Sequence, residues 1–316
     1  MVSNIYQSAE FQLLINKINQ AIIDSARVGD TPLLSEPINY INDLKGKRLR
    51  PLLVILSGLS LEGGLESLMY PAVAIELLHN FTLVHDDIMD NDEVRRGKPT
   101  VHVKWDLGTA ILAGDGLLGL AYRKILSTPE VDQAQVAKLF TNALIDICEG
   151  QALDKSFETR ENVTETEYLE MINKKTAVLI ELSCLLGAIT AGASDDVQEK
   201  FSSFGFNIGM GFQIQDDLLD IIADESKLGK KVGSDLAMNK KTILTTKLTD
   251  KGLDTKNYKS VKDFKSQLES TGVFDEVTKM ADNYFKKAYE IFETLTDNKH
   301  KNDLLQLTEY IRNREK

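Results

Sequence analysis

Cysteine is almost missing: Cys148 and Cys184 are the two in a chain of 316 residues. Each sits in an apolar helical context without a second ligand at metal-binding spacing. That excludes a disulfide framework and a zinc cluster, and it fits a reducing compartment. Proline is scarce as well, with six in the whole chain, so long segments run without a forced break. Positive charge is in deficit: 37 Lys and Arg stand against 48 Asp and Glu, a net charge of −11. A general nucleic-acid surface should be basic, so that class is disfavoured. The N-terminal "MVSNIYQSAEF" has no basic segment leading into an apolar signal core. No stretch reads as long and apolar enough to span a bilayer, and the expected location is cytoplasmic. There is no low-complexity tract, and no convincing run of the alternating pattern that a strand requires.

What is present is helical periodicity. "AEFQLLINKINQAI", "SLMYPAVAIELLHNFTLVHDDIMD", "VAKLFTNALIDICEGQALD", "EYLEMINKKTAVLIELSCLLGAITAG" and "VQEKFSSFGFNIGMGFQIQDDLLDII" all space apolar residues by three and four. Breaks fall at "VGDTPLLSEP", "NDEVRRGKPT", "STPEVD", "ETRENVTETE" and "KGLDTKNY", short polar connections inside one bundle. "SDD" at 194–196 reads as a helix start. The expectation is an all-α bundle forming a single domain over residues 1–316, with 42% hydrophobic residues to fill its core.

The chemistry concentrates in one echo. "HDDIMD" at 85–90 returns in kind as "QDDLLD" at 215–220. Residues four apart share a helix face, so Asp86 pairs with Asp90 and Asp216 with Asp220. Asp87 lies about 100° further round, and Asp217 stands beside Asp216. Carboxylates gathered from two helices would repel unless hard divalent cations relieve them. Mg²⁺ binds few protein carboxylates and keeps positions for water and phosphate oxygens, so a polyphosphate is the natural guest. One such motif alone is as readily a solvated helix end; two copies behind apolar helices are not. Basic residues adjoin them. "KGKRLRP" at 45–51 sets Lys47 and Arg50 three apart at a helix start, an anion site that needs no metal. Arg95 and Arg96 follow the first acidic motif directly.

"GKRLRP" (46–51), "ELLHNFTLVHDDIMDNDEVRRGKPTVH" (76–102), "GQALD" (150–154), "KTA" (175–177), "GFQIQDDLLD" (211–220) and "GKKVGSDL" (229–236) together resemble the trans-isoprenyl diphosphate synthases of the polyprenyl synthetase family. The resemblance implies an all-α isoprenoid synthase bundle around a central apolar cavity, usually a homodimer. It implies the condensation of an allylic diphosphate with isopentenyl diphosphate, releasing pyrophosphate, with about three Mg²⁺ per active site. It assigns Asp86 and Asp90 to two of these ions, and Asp216, with Asp217 and Asp220 close by, to the third. Arg95, Lys175 and Lys240 would contact the allylic diphosphate. Lys47, Arg50, His79 and Arg96 would hold isopentenyl diphosphate. Thr176 and Gln213 would place oxygen dipoles near the carbocation, and the released pyrophosphate would take the last proton.

Blander roles remain beside these. His85 and His102 read as structural, and Arg48 as solvated or structural. Gln151 and Asp154 support the metal cluster from behind. Thr176 could bond back to its own helical turn. The stretch 224–243, with Gly229 and Gly233, resembles a cover that excludes water. Ser234 stands there where the family commonly has lysine, and Leu244 where it commonly has proline. Arg314 resembles a phosphate neighbour in a basic tail. Product length is expected to depend on residues before Asp86 on its helix face: Phe81 as the floor, with Thr82 small beside it, and Leu78 and Ile75 behind. A lone bulky residue at the earlier position resembles synthases whose main product is geranylgeranyl diphosphate, with farnesyl diphosphate as intermediate. A class I terpene cyclase and a non-catalytic partner subunit are the competing readings. The first needs no "GKRLRP" site, and the second tends to lose an aspartate motif.

Overall fold

The computed structural model describes residues 5–29, 31–44, 46–222, 240–253, 258 and 260–313. Among these the regular secondary structure is helical apart from one two-stranded ribbon. Helix α1 (Ala9–Ser25) starts where the Ser8 hydroxyl accepts from Phe11 N, and it buries Phe11, Ile15, Ile18 and Ile22 as one stripe. The segment "VGDTPLLSEP", expected as a break, is non-helical at Val28, Gly29 and Thr31 and then enters α2 (Pro32–Asp43). Pro32 sits at the first helical position, where its missing N–H costs nothing. Pro37 is carried inside the helix, which sequence reasoning reads as a stop. Helix α3 (Leu49–Ser60) follows, with Pro51 in its first turn.

Helix α4 (Leu65–Met89) ends in the first aspartate motif. It satisfies the length and composition of a membrane span, contrary to the sequence expectation. Burial within the protein accounts for that: Leu68, Ala72, Val73, Ala74, Ile75, Leu77 and Leu78 are wholly covered, so much of the circumference packs on protein. The ribbon pairs β1 (Val94–Arg95) with β2 (Lys98–Pro99) antiparallel. Its two-residue turn, Arg96-Gly97, has positive φ at both positions, as the favoured hairpin turn requires. Then come α5 (Val101–Lys104), α6 (Leu107–Ile125) and α7 (Gln133–Phe157). Asp106 caps α6 through Thr109 N at 2.8 Å.

Helix α8 (Glu165–Ile172) opens with a reciprocal capping box between Thr164 and Glu167. Those bonds, together with Arg160, hold the Glu167 carboxyl down to about 2. A single π-helical turn, Asn173–Ala177, joins α8 to α9 (Val178–Thr190). Helix α10 (Asp195–Ile222) starts at "SDD" as expected and carries the second aspartate motif. The remainder is α11 (Ile243–Asp250), α12 (Val261–Ser270), α13 (Val273–Tyr289) and α14 (Lys299–Arg312).

The chain, expected as one domain, divides into two compact units: residues 1–139, 183–198 and 296–304, and residues 140–182, 199–295 and 305–316. Helices α7, α9, α10 and α14 contribute residues to both. In the first unit α4 packs against α1, α3 and α6. The second has its own core, including Phe157, Tyr168, Met171, Ala177, Ile214, Leu218, Ile243, Leu244, Phe264 and Leu268. Leu244 falls in the first turn of α11 and is fully buried. A helix first turn accepts proline as well as leucine.

Candidate active site

In the first unit, Asp86 and Asp90 stand one turn apart at the end of α4, both half-buried. Asp87 points elsewhere. Its side chain is buried, and its Oδ1 accepts from Arg95 Nε at 2.8 Å and Nη2 at 2.5 Å. Burial pushes the Asp87 carboxyl up, and the Arg95 hydrogen bonds and charge partly offset this. Arg95 also reaches Asp92 at 3.2 Å. Burial works against its charge, but the Asp87 and Asp92 carboxylates outweigh it and its pKa is raised. Arg95 therefore ties the ribbon to α4.

The basic residues gather around the start of α3. Lys47 is exposed and Arg50 half-buried. Arg50 Nη1 lies 3.2 Å from His79 Nε2. Burial lowers the Arg50 pKa to about 10, with Glu76 opposing and Arg96 adding, so the guanidinium stays charged at neutral pH. His79 is driven well below its ordinary value by burial first, then by Arg50, Arg96, Arg95 and Arg48. A neutral imidazole accepting from Arg50 at Nε2 carries its proton on Nδ1, an assignment made from the network. The Arg96 guanidinium occupies the space above Gly46, where a Cβ would fall 2.9 Å from it. Its Nη1 donates to Leu44 O at 3.2 Å.

Arg48 resolves to the structural role. It is buried, in a left-handed backbone conformation. It donates to Asn19 Oδ1 at 2.7 Å, Glu76 Oε1 at 2.6 Å, Asn42 O at 3.0 Å and Leu44 O at 3.2 Å. That clamp holds the loop from which Lys47 and Arg50 project. No sequence spacing announces the Glu76 partner.

The residues expected to set product length divide between two faces. Leu78 and Ile75 are fully buried. Thr82 bonds back to His79 O at 2.8 Å. At about 100° per residue, Thr82 lies about 40° from Asp86, but Phe81 lies about 140° away, off the face it was expected to share. Phe81 instead meets the His85 ring edge-on at 4.7 Å. His85 fills the notch at Gly114 on α6, a structural role as expected. His102 lies 3.3 Å from the Thr100 hydroxyl.

In the second unit, the π-helical turn presents Lys175 and Thr176. Two glycines let neighbouring helices come close enough to support it. A Cβ at Gly150 on α7 would lie 2.3 Å from Lys175 N, and one at Gly209 on α10 2.5 Å from Ala177 Cα. Lys175 Nζ pairs with Asp154 at 2.5 Å, and Gln151 on the same helix is buried. The Thr176 hydroxyl donates to Gln213 Oε1 at 3.0 Å, across to α10 rather than back to its own turn. Gln213 Nε2 donates to Asp217 Oδ1 at 3.1 Å. Asp217 Oδ2 accepts from the Tyr168 hydroxyl at 2.5 Å and from Ile243 N at 3.1 Å. Asp217, expected beside the metal, is buried and accepts, among the described residues, from Tyr168, Gln213 and Ile243 N. Asp216 is half-buried and Asp220 buried. Lys240 is half-buried just before α11. Gly229, Gly233, Ser234 and Arg314 lie outside the described residues.

The profile of the Polyprenyl synthetase family matches residues 31–281. The chain belongs to the polyprenyl synthetase family. A geranylgeranyl diphosphate synthase of Methanosarcina mazei is 44% identical over 286 residues, 87% of this chain and 88% of that protein. Another of that name, from Sulfolobus acidocaldarius, is 46% identical over 241 residues, 75% of this chain and 73% of the other. The crystal structure of a geranylgeranyl pyrophosphate synthetase from Pyrococcus horikoshii superposes with a TM-score of 0.91 at 38% identity, covering 97% of this chain and 98% of that one. The helical-bundle expectation is thereby met.

The donor set of a polyprenyl synthetase suits hard cations. Asp86 and Asp90 in the first unit and Asp216 in the second carry carboxylate oxygens, hard donors of the kind such cations accept. Among the described residues no group of three or more His, Cys, Asp or Glu is close enough to cage a metal.

Proposed function

We propose that the chain condenses allylic diphosphates with isopentenyl diphosphate in the trans configuration, releasing pyrophosphate, with geranylgeranyl diphosphate as main product. The observation that carries this is its likeness, at 44 and 46% identity, to two geranylgeranyl diphosphate synthases, with both aspartate motifs intact.

Asp86, Asp90, Asp216 and Asp220 would hold the metal ions, about three Mg²⁺, that bind the allylic diphosphate. When bound, the ions stabilise the negative charge that develops on the departing pyrophosphate. The allylic C–O bond breaks and its electron pair leaves with that group. Lys175 and Lys240 add positive charge to the same diphosphate, and Arg95 adds to it while holding Asp87. Lys47, Arg50, His79 and Arg96 bind isopentenyl diphosphate directly, by charge and hydrogen bonds. Its double bond attacks the allylic cation, a new C–C bond forms, and the released pyrophosphate accepts the proton lost next. The Thr176 hydroxyl oxygen, its proton held by Gln213, faces the cation. The exposed apolar residues Leu107, Ile111 and Leu112 on α6 support a homodimer that covers them.

The test is product analysis with dimethylallyl and isopentenyl diphosphates. Pyrophosphate release that requires both substrates, with a twenty-carbon product, supports the synthase. Release from an allylic diphosphate alone selects a cyclase. No release selects the non-catalytic subunit.

A further inference from the structure

The hydrogen bonds around Asp217 have one direction. A carboxylate can only accept. Tyr168 and Ile243 N donate to one oxygen and Gln213 Nε2 to the other. With its amide nitrogen turned to Asp217, Gln213 must present its oxygen to Thr176. The Thr176 proton is thereby engaged, 3.0 Å from Gln213 Oε1. A hydroxyl whose proton is held elsewhere presents only lone pairs to its surroundings. We infer that Asp217 is a positioning residue that sets the polarity of the chain Asp217–Gln213–Thr176, so that Thr176 offers lone pairs and no proton to the allylic cation.

The inference rests on the prenyltransferase reading for the place of the cation. The polarity itself rests on the geometry. Asp217 is 2% exposed and Tyr168 likewise 2%, so water does not compete for these bonds. Ile243 N is the first amide of α11, so the same carboxylate also fixes that helix start.

Asp217→Asn is isosteric but can donate. The oxygen of the new amide keeps Tyr168 and Ile243 N, and its nitrogen faces the nitrogen of Gln213. Two donors cannot share a bond, so the Gln213 amide turns over and donates to Thr176. The Thr176 proton is then released toward the cation. The double variant Asp217→Asn/Gln213→Glu restores the original direction. The amide nitrogen introduced at position 217 would donate to the carboxylate introduced at position 213, whose other oxygen accepts from Thr176. These bonds and the net charge are kept.

The experiment measures steady-state kinetics in both substrates, a Mg²⁺ titration, and thermal unfolding of each variant. Asp217→Asn should lower kcat about a hundredfold, the scale of one misdirected dipole at a developing charge. Both KM values and the half-saturating Mg²⁺ should stay within about twofold of the parent, and the double variant should recover kcat to within about threefold. In a Thr176→Val background Asp217→Asn should have little further effect, because the two act through one chain. A tenfold rise in the Mg²⁺ requirement makes Asp217 a metal ligand and overturns the inference. So does an unchanged kcat in Asp217→Asn, or a double variant no better than the single. If Asp217→Asn does not fold, the double variant decides alone. If the parent itself makes no prenyl product from the two diphosphates, the function reading fails first and separately.

Discussion

Arg48 and Glu76 show what one buried pair does for a binding loop. Both side chains are nearly inaccessible, at 2 and 3% exposure, with 2.6 Å between them. Removing one partner strands a buried charge, which costs about 3–5 kcal/mol. Replacing both with apolar groups of similar volume is often neutral. Glu76→Ala should therefore lose stability on that scale in denaturant melts, and Arg48→Met/Glu76→Leu should recover most of it. The KM for isopentenyl diphosphate should stay raised in the double variant, since the four bonds that fix the loop are gone. Recovery of KM along with stability would show that the Arg48 clamp does not position Lys47 and Arg50. His79 carries a second residue-scale prediction. Its folded pKa lies below the unfolded value of about 6.5. Below that pH the unfolded chain takes up a proton that the folded one refuses. Stability should fall as pH drops below about 6.5, at up to about 1.4 kcal/mol per pH unit. His79→Asn should flatten the profile between about pH 6.5 and 5 in urea melts, and an unaltered slope would place the titrating group elsewhere. The basic cluster was legible from "GKRLRP" and "RRG". The Arg48–Glu76 pair and the Tyr168–Asp217 bond were not, since 28 and 49 residues separate the partners and no local pattern encodes a pairing made only by folding.

At the scale of the element, α4 and α10 were readable end to end because apolar spacing and the terminal acids agree. The hidden features are those in which neighbours override local preference. Pro37 inside α2 contradicts the usual meaning of proline. The π-helical turn at Asn173–Ala177 lies within what reads as one continuous helix, and its support is the absence of side chains at Gly150 and Gly209 on two other helices. Gly150→Ala would drive a methyl into the Lys175 backbone, which cannot yield as a flexible side chain does. It should reduce kcat by at least about tenfold with a folded circular-dichroism spectrum, and full activity would show that the turn tolerates displacement. The face of α4 makes its own prediction. Thr82 lies nearer the Asp86 direction than Phe81, so Thr82→Phe should shorten products toward farnesyl diphosphate. If chromatography shows the Thr82 variant unshifted at retained activity, the growing chain does not run along this face.

At the scale of the whole molecule, the two aspartate motifs fall in different compact units, Asp86 and Asp90 in one and Asp216 in the other. That division gives the function a test that neither motif could provide alone. If each served a separate ligand, the losses from Asp86→Ala and Asp216→Ala would multiply, because distant independent sites add in free energy. If both hold ions on one departing diphosphate, the first loss already removes most of the stabilisation, and the second finds little left. Groups that act as a unit in catalysis are strongly non-additive in this way. Each single variant should cost several orders of magnitude in kcat, on the order of 10³ or more, and EDTA should abolish turnover by the parent. The double variant should be scarcely worse than the worse single one. Pyrophosphate release measured on all four proteins at saturating substrate closes the cycle. Multiplicative losses would separate the motifs into two functions, and near-normal turnover in EDTA would end the metal reading for both.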